Sequence, residues 1–526
     1  MHLPTSISKN CLKVYNFNPK LPKEWDKKGI KSFNIENWDF SIPKQLRELC
    51  VETLAKNWED NPVLDEIIQL EDRYLLLDLL SENLPLEVTI PRINDEIYWK
   101  KCFLKRWPKK YPPLKTNVPL QQFIRNSLNE ANEEFLKETL QKESSNQQSQ
   151  VGSRRSSRTS CGTSSVKSEI VNDISWKRLY VETHVQEYLE SLEPERYNPE
   201  KMKNLCDLCG DYLGVLRIDQ MLCSLNSPSK IPLNAVVTGF RNLRELSLCF
   251  KQAYARNGFS WNILTTTYQD IALFAKGLQK IRLRIIRIRN SDIDCDKAII
   301  LLKALLKHDL EILDLSHCKI GNKGALGISK FTLENSVKEV ILVNNRIGSK
   351  GIKALAYSLT QTSQNIQKLN LRLNQLSDEA ANWFIASLTH PNCKLRWLSL
   401  AGSGLTKDCD ISKAIQGNST LYYLDISNNA LNNELGQAIL ESTFINSTLL
   451  KLDVRMCKIK SPIEAQIQQE IDKNKRCMTK TRTCKTITIE WPEELILEIG
   501  SILSNETETQ QIEDESNCEI ETKQIA

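Results

Sequence analysis

The stretch Ile366-Gln367-Lys368-Leu369-Asn370-Leu371-Arg372-Leu373-Asn374-Gln375-Leu376 has apolar residues at its first, fourth, sixth and last positions and asparagine at its ninth. Leu369 and Leu371 alternate with Asn370 and Arg372, the pattern of a short strand with one buried face. Asn374 falls where such a strand must turn, and its side chain can bond backbone groups there. The same pattern returns along the C-terminal half. It is carried by Leu310, Leu313, Leu315, Cys318 and Ile320, and by Val337, Val340, Leu342, Asn345 and Ile347. Leu395, Leu398, Leu400, Ser403 and Leu405 carry it again, then Leu421, Leu424, Ile426, Asn429 and Leu431, then Leu449, Leu452, Val454, Cys457 and Ile459. Upstream, Leu283, Ile286, Ile288, Ser291 and Ile293 match, and Leu243, Leu246 and Leu248 form a partial copy. From Leu283 on, successive copies start 27, 27, 29, 29, 26 and 28 residues apart.

Between the strands lie helical patterns such as Gly324–Phe331 and Ile352–Leu359. One strand–helix unit cannot bury its apolar face alone, so units stack. This is a leucine-rich repeat of the long kind. The expected fold class is α/β: a leucine-rich-repeat solenoid, a ribonuclease-inhibitor-like horseshoe of about seven to eight repeats, preceded by a small α-helical N-terminal region. The step from Leu243 to Leu283 is 40 residues, and the extra stretch, including Asn257 to Asn262, reads as a loop on one rim. After the last repeat, Pro462 opens a helix with Ile463, Ile467 and Ile471 on one face, suited to a C-terminal cap.

Six segments follow. Residues 1–40 are irregular. Residues 41–141 form a helical N-terminal domain, marked by Leu46, Leu49, Cys50 and Leu54, by the aromatic, basic run Tyr98–Trp107, and by Ile124, Leu128, Ala131 and Phe135. Residues 142–173 are a Ser/Arg-rich linker whose composition cannot bury a core. Residues 174–240 are a helical cap, with helical runs from Trp176 to Leu192 and from Leu205 to Leu216. Residues 241–476 are the repeats. Residues 477–526 are a tail with a short helix, Pro492–Leu503, and an acidic end.

The 526 residues are 40% hydrophobic and 26% charged, enough to bury a sizeable core. That composition excludes collagen-like and fully disordered classes. A net charge of +5 is too mild to point to nucleic acid. No stretch reaches the roughly 20 apolar residues of a membrane span, and Met1–Lys20 lacks a secretory apolar core. The 16 cysteines are scattered, several inside apolar patterns, which fits a reducing cytoplasm rather than a disulfide framework.

No P-loop, H-E-x-x-H, G-x-S-x-G or kinase set is present. The expectation is therefore no enzyme, no cofactor and no metal. The pair Cys206 and Cys209 has no second pair at zinc-site spacing and reads as buried helical thiols. The five histidines do not cluster. The block from Lys100 to Lys115 interleaves seven Lys/Arg with Phe103, Trp107 and Tyr111. It is a candidate for docking on an acidic polymer such as a tubulin tail, or simply a helix with a solvated basic face. Arg154-Arg155-Ser156-Ser157 resembles a basophilic kinase site, making Ser157 a candidate phosphosite.

The concave face of the expected horseshoe is the best candidate site. Alternation aims Lys368 and Arg372, Trp397, Tyr423 and Asp425, and Lys451, Asp453 and Arg455 away from the core. Trp397 beside Tyr423, flanked by Arg372 and Arg455, has the composition of a protein-binding hot spot.

These residues also carry a family likeness. Tyr98-Trp99 with Arg106-Trp107-Pro108, Trp176-Lys177-Arg178 with Glu182 and His184, Phe259, Trp261-Asn262 and Thr267-Tyr268, and Leu369–Asn374 resemble the T-complex-associated testis-expressed family of dynein regulatory complex subunits. The resemblance spans about Pro43–Pro108 and Ile174–Arg476. It implies a non-enzymatic scaffold of the nexin–dynein regulatory complex in motile cilia and sperm flagella, linking axonemal doublets and regulating dynein-driven motility. It implies other complex subunits as partners, including an F-box leucine-rich-repeat subunit, and leaves microtubule doublets as a candidate partner of the 100–115 block. Two rival readings compete. Leu84-Pro85-Leu86-Glu87 followed by Tyr98-Trp99 faintly resembles the start of an F-box, as in a ubiquitin-ligase substrate receptor. The acidic tail is weakly similar to that of a Ran-type GTPase-activating protein.

Overall fold

The computed structural model describes residues 46–108, 175–224, 227–253 and 261–476. The chain divides into two compact units after Ser81. In the first unit, helices α1 (Leu46–Lys56) and α2 (Leu70–Leu79) bury Val51, Leu76 and Leu77. Trp58 is fully buried there, and its indole N–H donates to the Val63 carbonyl at 3.2 Å.

The second unit opens with α3 (Leu86–Arg92), α4 (Glu96–Arg106), α5 (Trp176–Ser191) and α6 (Pro199–Cys209). Helix α4 packs on α5. Tyr98, Trp99, Phe103 and Trp107 are buried, and Tyr180 of α5 meets the rings of both Trp99 and Trp107 at 5.1 Å. Glu96 accepts from the Ser175 hydroxyl at 2.9 Å and from the Trp176 amide, holding the start of α5 to the start of α4. Sequence boundaries set 41–141 apart from 174–240. In the structure α3 and α4 share a compact unit with α5 and the repeats. Aromatic burial across the intervening residues is the physical reason.

Nine parallel strands follow in sequential order. They are β1 (Val215–Ile218), β2 (Glu245–Leu248), β3 (Ile285–Ile288), β4 (Ile312–Asp314), β5 (Glu339–Ile341), β6 (Lys368–Asn370), β7 (Trp397–Ser399), β8 (Tyr423–Asp425) and β9 (Lys451–Asp453). Each connection between successive strands carries a helix or helical turn, as parallel neighbours require. The inward leucines align in one row, for example Leu369 with Leu398, Leu398 with Leu424 and Leu424 with Leu452. Each is buried, worth about 1.5–3 kcal/mol relative to an exposed side chain.

The turn position does the work its residue types suggest. Asn345 donates to the Leu315 carbonyl of the preceding repeat at 2.9 Å and accepts the Ile320 N–H at 3.1 Å. Asn374 donates to Leu342 at 2.8 Å, and Asn429 to Leu400 at 3.0 Å. Cys318 and Cys457 replace the amide with a thiol donating to Ile288 and Ile426. Burial pushes these thiols up to about 12 and about 11, so both keep the proton they donate. The residue just before the turn position is left-handed in repeat after repeat: Asn290, His317, Asn344, Leu373, Gly402, Asn428 and Met456 have φ between 49° and 60°. The repeat template carries no mark of this.

Two features differ from the sequence reading. The helical run expected to reach Leu216 ends at Cys209, and β1 follows. Leu213, Leu216 and Ile218 fit the repeat spacing, but Met221 occupies the turn position, so the template misses this strand. Nine strands therefore stand where seven to eight repeats were expected. The 40-residue step leaves the sheet unbroken, because Leu246 pairs directly with Ile286. Its described end, Trp261–Leu264, is a 3-10 turn leading to the helix Tyr268–Leu278; residues 254–260 lie outside the described residues. The closing helix Ser461–Arg476 buries Ile467 and Ile471 as the cap reading expected.

Candidate functional site

The sheet has one face against the helices and one turned away from them. Parallel register builds straight rows on the outer face. One row runs Glu339, Lys368, Trp397, Tyr423, Lys451 across β5 to β9. Neighbouring strands lie about 4.8 Å apart, so flat side chains at matched positions stack. Trp397 and Tyr423 do so, with ring centroids 4.7 Å apart and planes within 2°. Both rings are half-buried. The Lys368 ammonium lies 5.2 Å from the Trp397 ring centroid, and that of Lys451 lies 5.6 Å from Tyr423. The result is a cation–ring–ring–cation stack over four strands. Glu339, which the sequence reading did not single out, pairs with Lys368 at 3.1 Å and fixes that end.

The next row holds Asn370, Ser399, Asp425 and Asp453. Asp425 is buried, accepting from the Ser399 hydroxyl at 2.9 Å and the Ser427 hydroxyl at 2.7 Å. It is a structural acceptor within the face rather than an open charge. Asp453 is bound in two places by Arg455, whose guanidinium holds its carboxyl below the usual carboxylate range. Burial, with Asp425 and Asp453 nearby, pushes the Tyr423 phenol up to about 12, so it stays neutral at physiological pH.

Beyond these rows, Arg372 is exposed and makes no ion pair among the described residues. Lys451 is likewise exposed. Two residues at the rim were also invisible to the sequence reading: Leu373, 39% exposed, and Met456, 78% exposed, both left-handed. Bulky residues there cost roughly 1–2 kcal/mol each, whereas asparagine or glycine adopts that backbone readily. The face thus joins the eight candidate residues into one patch: an aromatic centre, two open cations and a rim with exposed apolar tips.

The other sequence candidates fall elsewhere. Cys206 and Cys209 are buried in α6, which raises them to about 11 and about 12. No group of three or more His, Cys, Asp or Glu suited to a metal ion occurs among the described residues. In the basic block, Lys101 and Lys105 pair with Glu82, and Arg106 pairs with Glu187 at 2.8 Å. Residues 109–115 and Ser157 lie outside the described residues. Asn418 and Asn446, each followed two residues later by threonine or serine in sequence, are buried turn-formers bonded to backbone. No described helix is long and apolar enough to cross a membrane.

Comparison with known proteins agrees with this architecture. The "Leucine Rich repeat" family model matches residues 307–329, 335–356 and 362–381. The chain thus carries leucine-rich repeats, stacked as a parallel-sheet solenoid. More particularly, it is similar to dynein regulatory complex subunit 5. It is 27% identical over 353 residues to that protein of Macaca fascicularis, covering 62% of this chain and 59% of the macaque protein. To the Mus musculus protein it is 28% identical over 335 residues, covering 59% and 55%, and to the Homo sapiens protein 26% over 317 residues, covering 56% and 52%. The chain thus spans somewhat over half the length of these relatives.

Proposed function

We propose that this chain is a non-enzymatic scaffold subunit of a nexin–dynein regulatory complex. In this reading it sits on the axoneme of a motile cilium or flagellum, helps link neighbouring doublets, and tunes dynein-driven motility, including that of sperm. Its partners are other subunits of that complex, among them an F-box leucine-rich-repeat subunit. Likeness to three proteins named for the complex supports the assignment. The single structural observation that carries the docking role is the open Trp397–Tyr423 stack between Lys368 and Lys451. Stacked aromatics with flanking cations bury large area at small entropy cost, which makes them effective anchors. The partner surface best matched to it is apolar at its centre and acidic at its edge.

The test is capture of axonemal complex subunits by the full chain and by a Trp397→Ala/Tyr423→Ala variant. The expected result is a loss of about tenfold or more in apparent affinity, equivalent to 1.4 kcal/mol or more, with an unchanged circular dichroism spectrum. Undiminished capture by a folded variant removes the face from the reading. Release of the tagged chain from axonemes by mild salt, with none of the complex following it, removes the scaffold role itself.

A further inference from the structure

The two ends of the sheet are finished differently. At the first strand, the amides of Gly214 and Val215 would need carbonyls from a preceding repeat. Glu182 of α5 supplies the acceptor instead, at 3.3 and 2.9 Å, and Glu190 accepts from Asp219 at 2.8 Å. From β4 onward each strand end donates two amides to the next: Leu315 to Ile341 and His317 to Val343, Leu371 to Ser399 and Leu373 to Ala401, Ile426 to Asp453 and Asn428 to Arg455. At β9 the equivalent amides, those of Val454 and Met456, meet no backbone acceptor among the described residues. An unpaired strand edge is a template for another strand.

Beside that edge lies a groove of about 700 Å³ between β9 and the closing helix Ser461–Arg476, with Leu452, Val454 and Ile467 at its floor and Asp453, Glu464 and Gln468 among its polar walls. The closing helix is itself built like the helix of a further repeat. Its Asn474 donates to the carbonyls of Asn446 and Leu449, as Asn446 donates to Ile415 and Asn418 one repeat earlier. A helix of this kind is followed by a strand in every preceding repeat.

The chain beyond Arg476 contains one segment that suits the vacancy. At the ordinary spacing the two inward positions would fall on Lys480 and Arg482, which would set charged side chains against the buried Leu452, Val454 and Ile467. Seven residues further on, Cys484, Ile487 and Ile489 repeat the first, fourth and sixth positions of the template, within Cys484-Lys485-Thr486-Ile487-Thr488-Ile489-Glu490-Trp491. The β-branched run alternates as a strand does. In register with β9, Thr486 would lie beside Lys451, Thr488 beside Asp453 and Glu490 beside Arg455, whose side chain is 81% exposed. Trp491 would then fall beside the exposed Met456. The connection from Arg476 to Thr486 spans nine residues, no longer than that between Ser387 and Trp397.

We propose that residues 484–491 of this chain dock on the open edge of β9 as a tenth parallel strand, with Ile487 and Ile489 in the groove against the closing helix. The segment finishes the C-terminal edge as Glu182 and Glu190 finish the N-terminal one. It keeps that edge from pairing with strands of other chains.

Directed cross-linking of the full chain tests this. Under mild oxidation K451C/T486C is expected to form an intramolecular disulfide, mapped by mass spectrometry, because both side chains share the outer face. K451C/K485C is expected not to, because residue 485 faces the other way. Equal cross-linking in the two variants, none in either, or a K451C–T486C bridge only between two molecules overturns the proposal. Hydrogen exchange gives a second readout that needs no cysteine. The peptide spanning Leu450–Cys457 is expected to be as protected as that spanning Leu424–Asn429, and I487D/I489D is expected to expose Val454 and Met456 alone. Free exchange of those amides in the unmodified chain overturns the proposal. Neither readout depends on dynein regulatory complex partners, so the outcome is separate from that of the proposed function.

Discussion

Two aromatic clusters in the repeat-bearing unit use the same ingredients to opposite ends. In the cap, Trp99, Phe103, Trp107, Trp176 and Tyr180 meet at 5.1 to 5.8 Å, with planes tilted by 54° to 64°. Cations attend them: Arg106 lies 4.7 Å from Trp107, and Lys177 lies 5.9 Å from Trp99. On the sheet, Trp397 and Tyr423 lie flat on each other between two lysines. The tilted cluster gathers residues far apart in sequence and buries most of them, so it specifies architecture. The parallel stack is imposed by strand register and stays open, so it adds little to stability and leaves a surface for a partner. Composition alone does not separate a structural aromatic cluster from a recognition one; exposure and geometry do.

Substitutions can break this contrast. Trp99→Ala is expected to have the largest effect on folding, about 3–5 kcal/mol by urea denaturation, because a 1%-exposed ring and its hydrogen bond to Ile93 are removed together. A loss below about 1 kcal/mol would mean that the cap cluster is not core. Lys177→Met comes next. It leaves the Ile90 carbonyl and the Asn94 side chain, each bonded at 2.6 Å, without their donor, at a cost of about 1–3 kcal/mol in the same assay. The Trp397→Ala/Tyr423→Ala pair is expected to cost only about 1 kcal/mol of stability while removing partner capture. A stability loss as large as that of Trp99→Ala would erase the distinction between the clusters. The smallest effect is a gain: Leu373→Asn should stabilise the chain by up to about 1 kcal/mol, read as a raised melting temperature, because asparagine tolerates φ = 59°. If Leu373 anchors a partner, the same variant binds less tightly while melting higher.

Much of the repeat region was legible in the sequence, and particular residues show why. Leu369, Leu371 and Asn374 each have a job set by local geometry, so their spacing survives into the fold. The strand at Val215–Ile218 was not legible, because Met221 replaces the polar turn residue that makes the template recognisable. The candidate face was legible as a set of outward positions. Its chemistry was not: Asp425 reads as a free carboxylate in sequence but is occupied by two serine hydroxyls, and Glu339, the partner of Lys368, comes from a neighbouring repeat. The basic block behaved similarly, since Glu82 and Glu187, which neutralise Lys105 and Arg106, lie outside it in sequence.

By itself the sequence determined the repeating unit, the solenoid class and which side chains face outward, because strand alternation and turn chemistry act over a few residues. Only the tertiary structure decided which aromatics are sealed and which are open, which charges are already paired, and that the two ends of the sheet are finished unequally. Those outcomes depend on groups separated by a full repeat or more, and no local pattern records which distant acceptor reaches which donor.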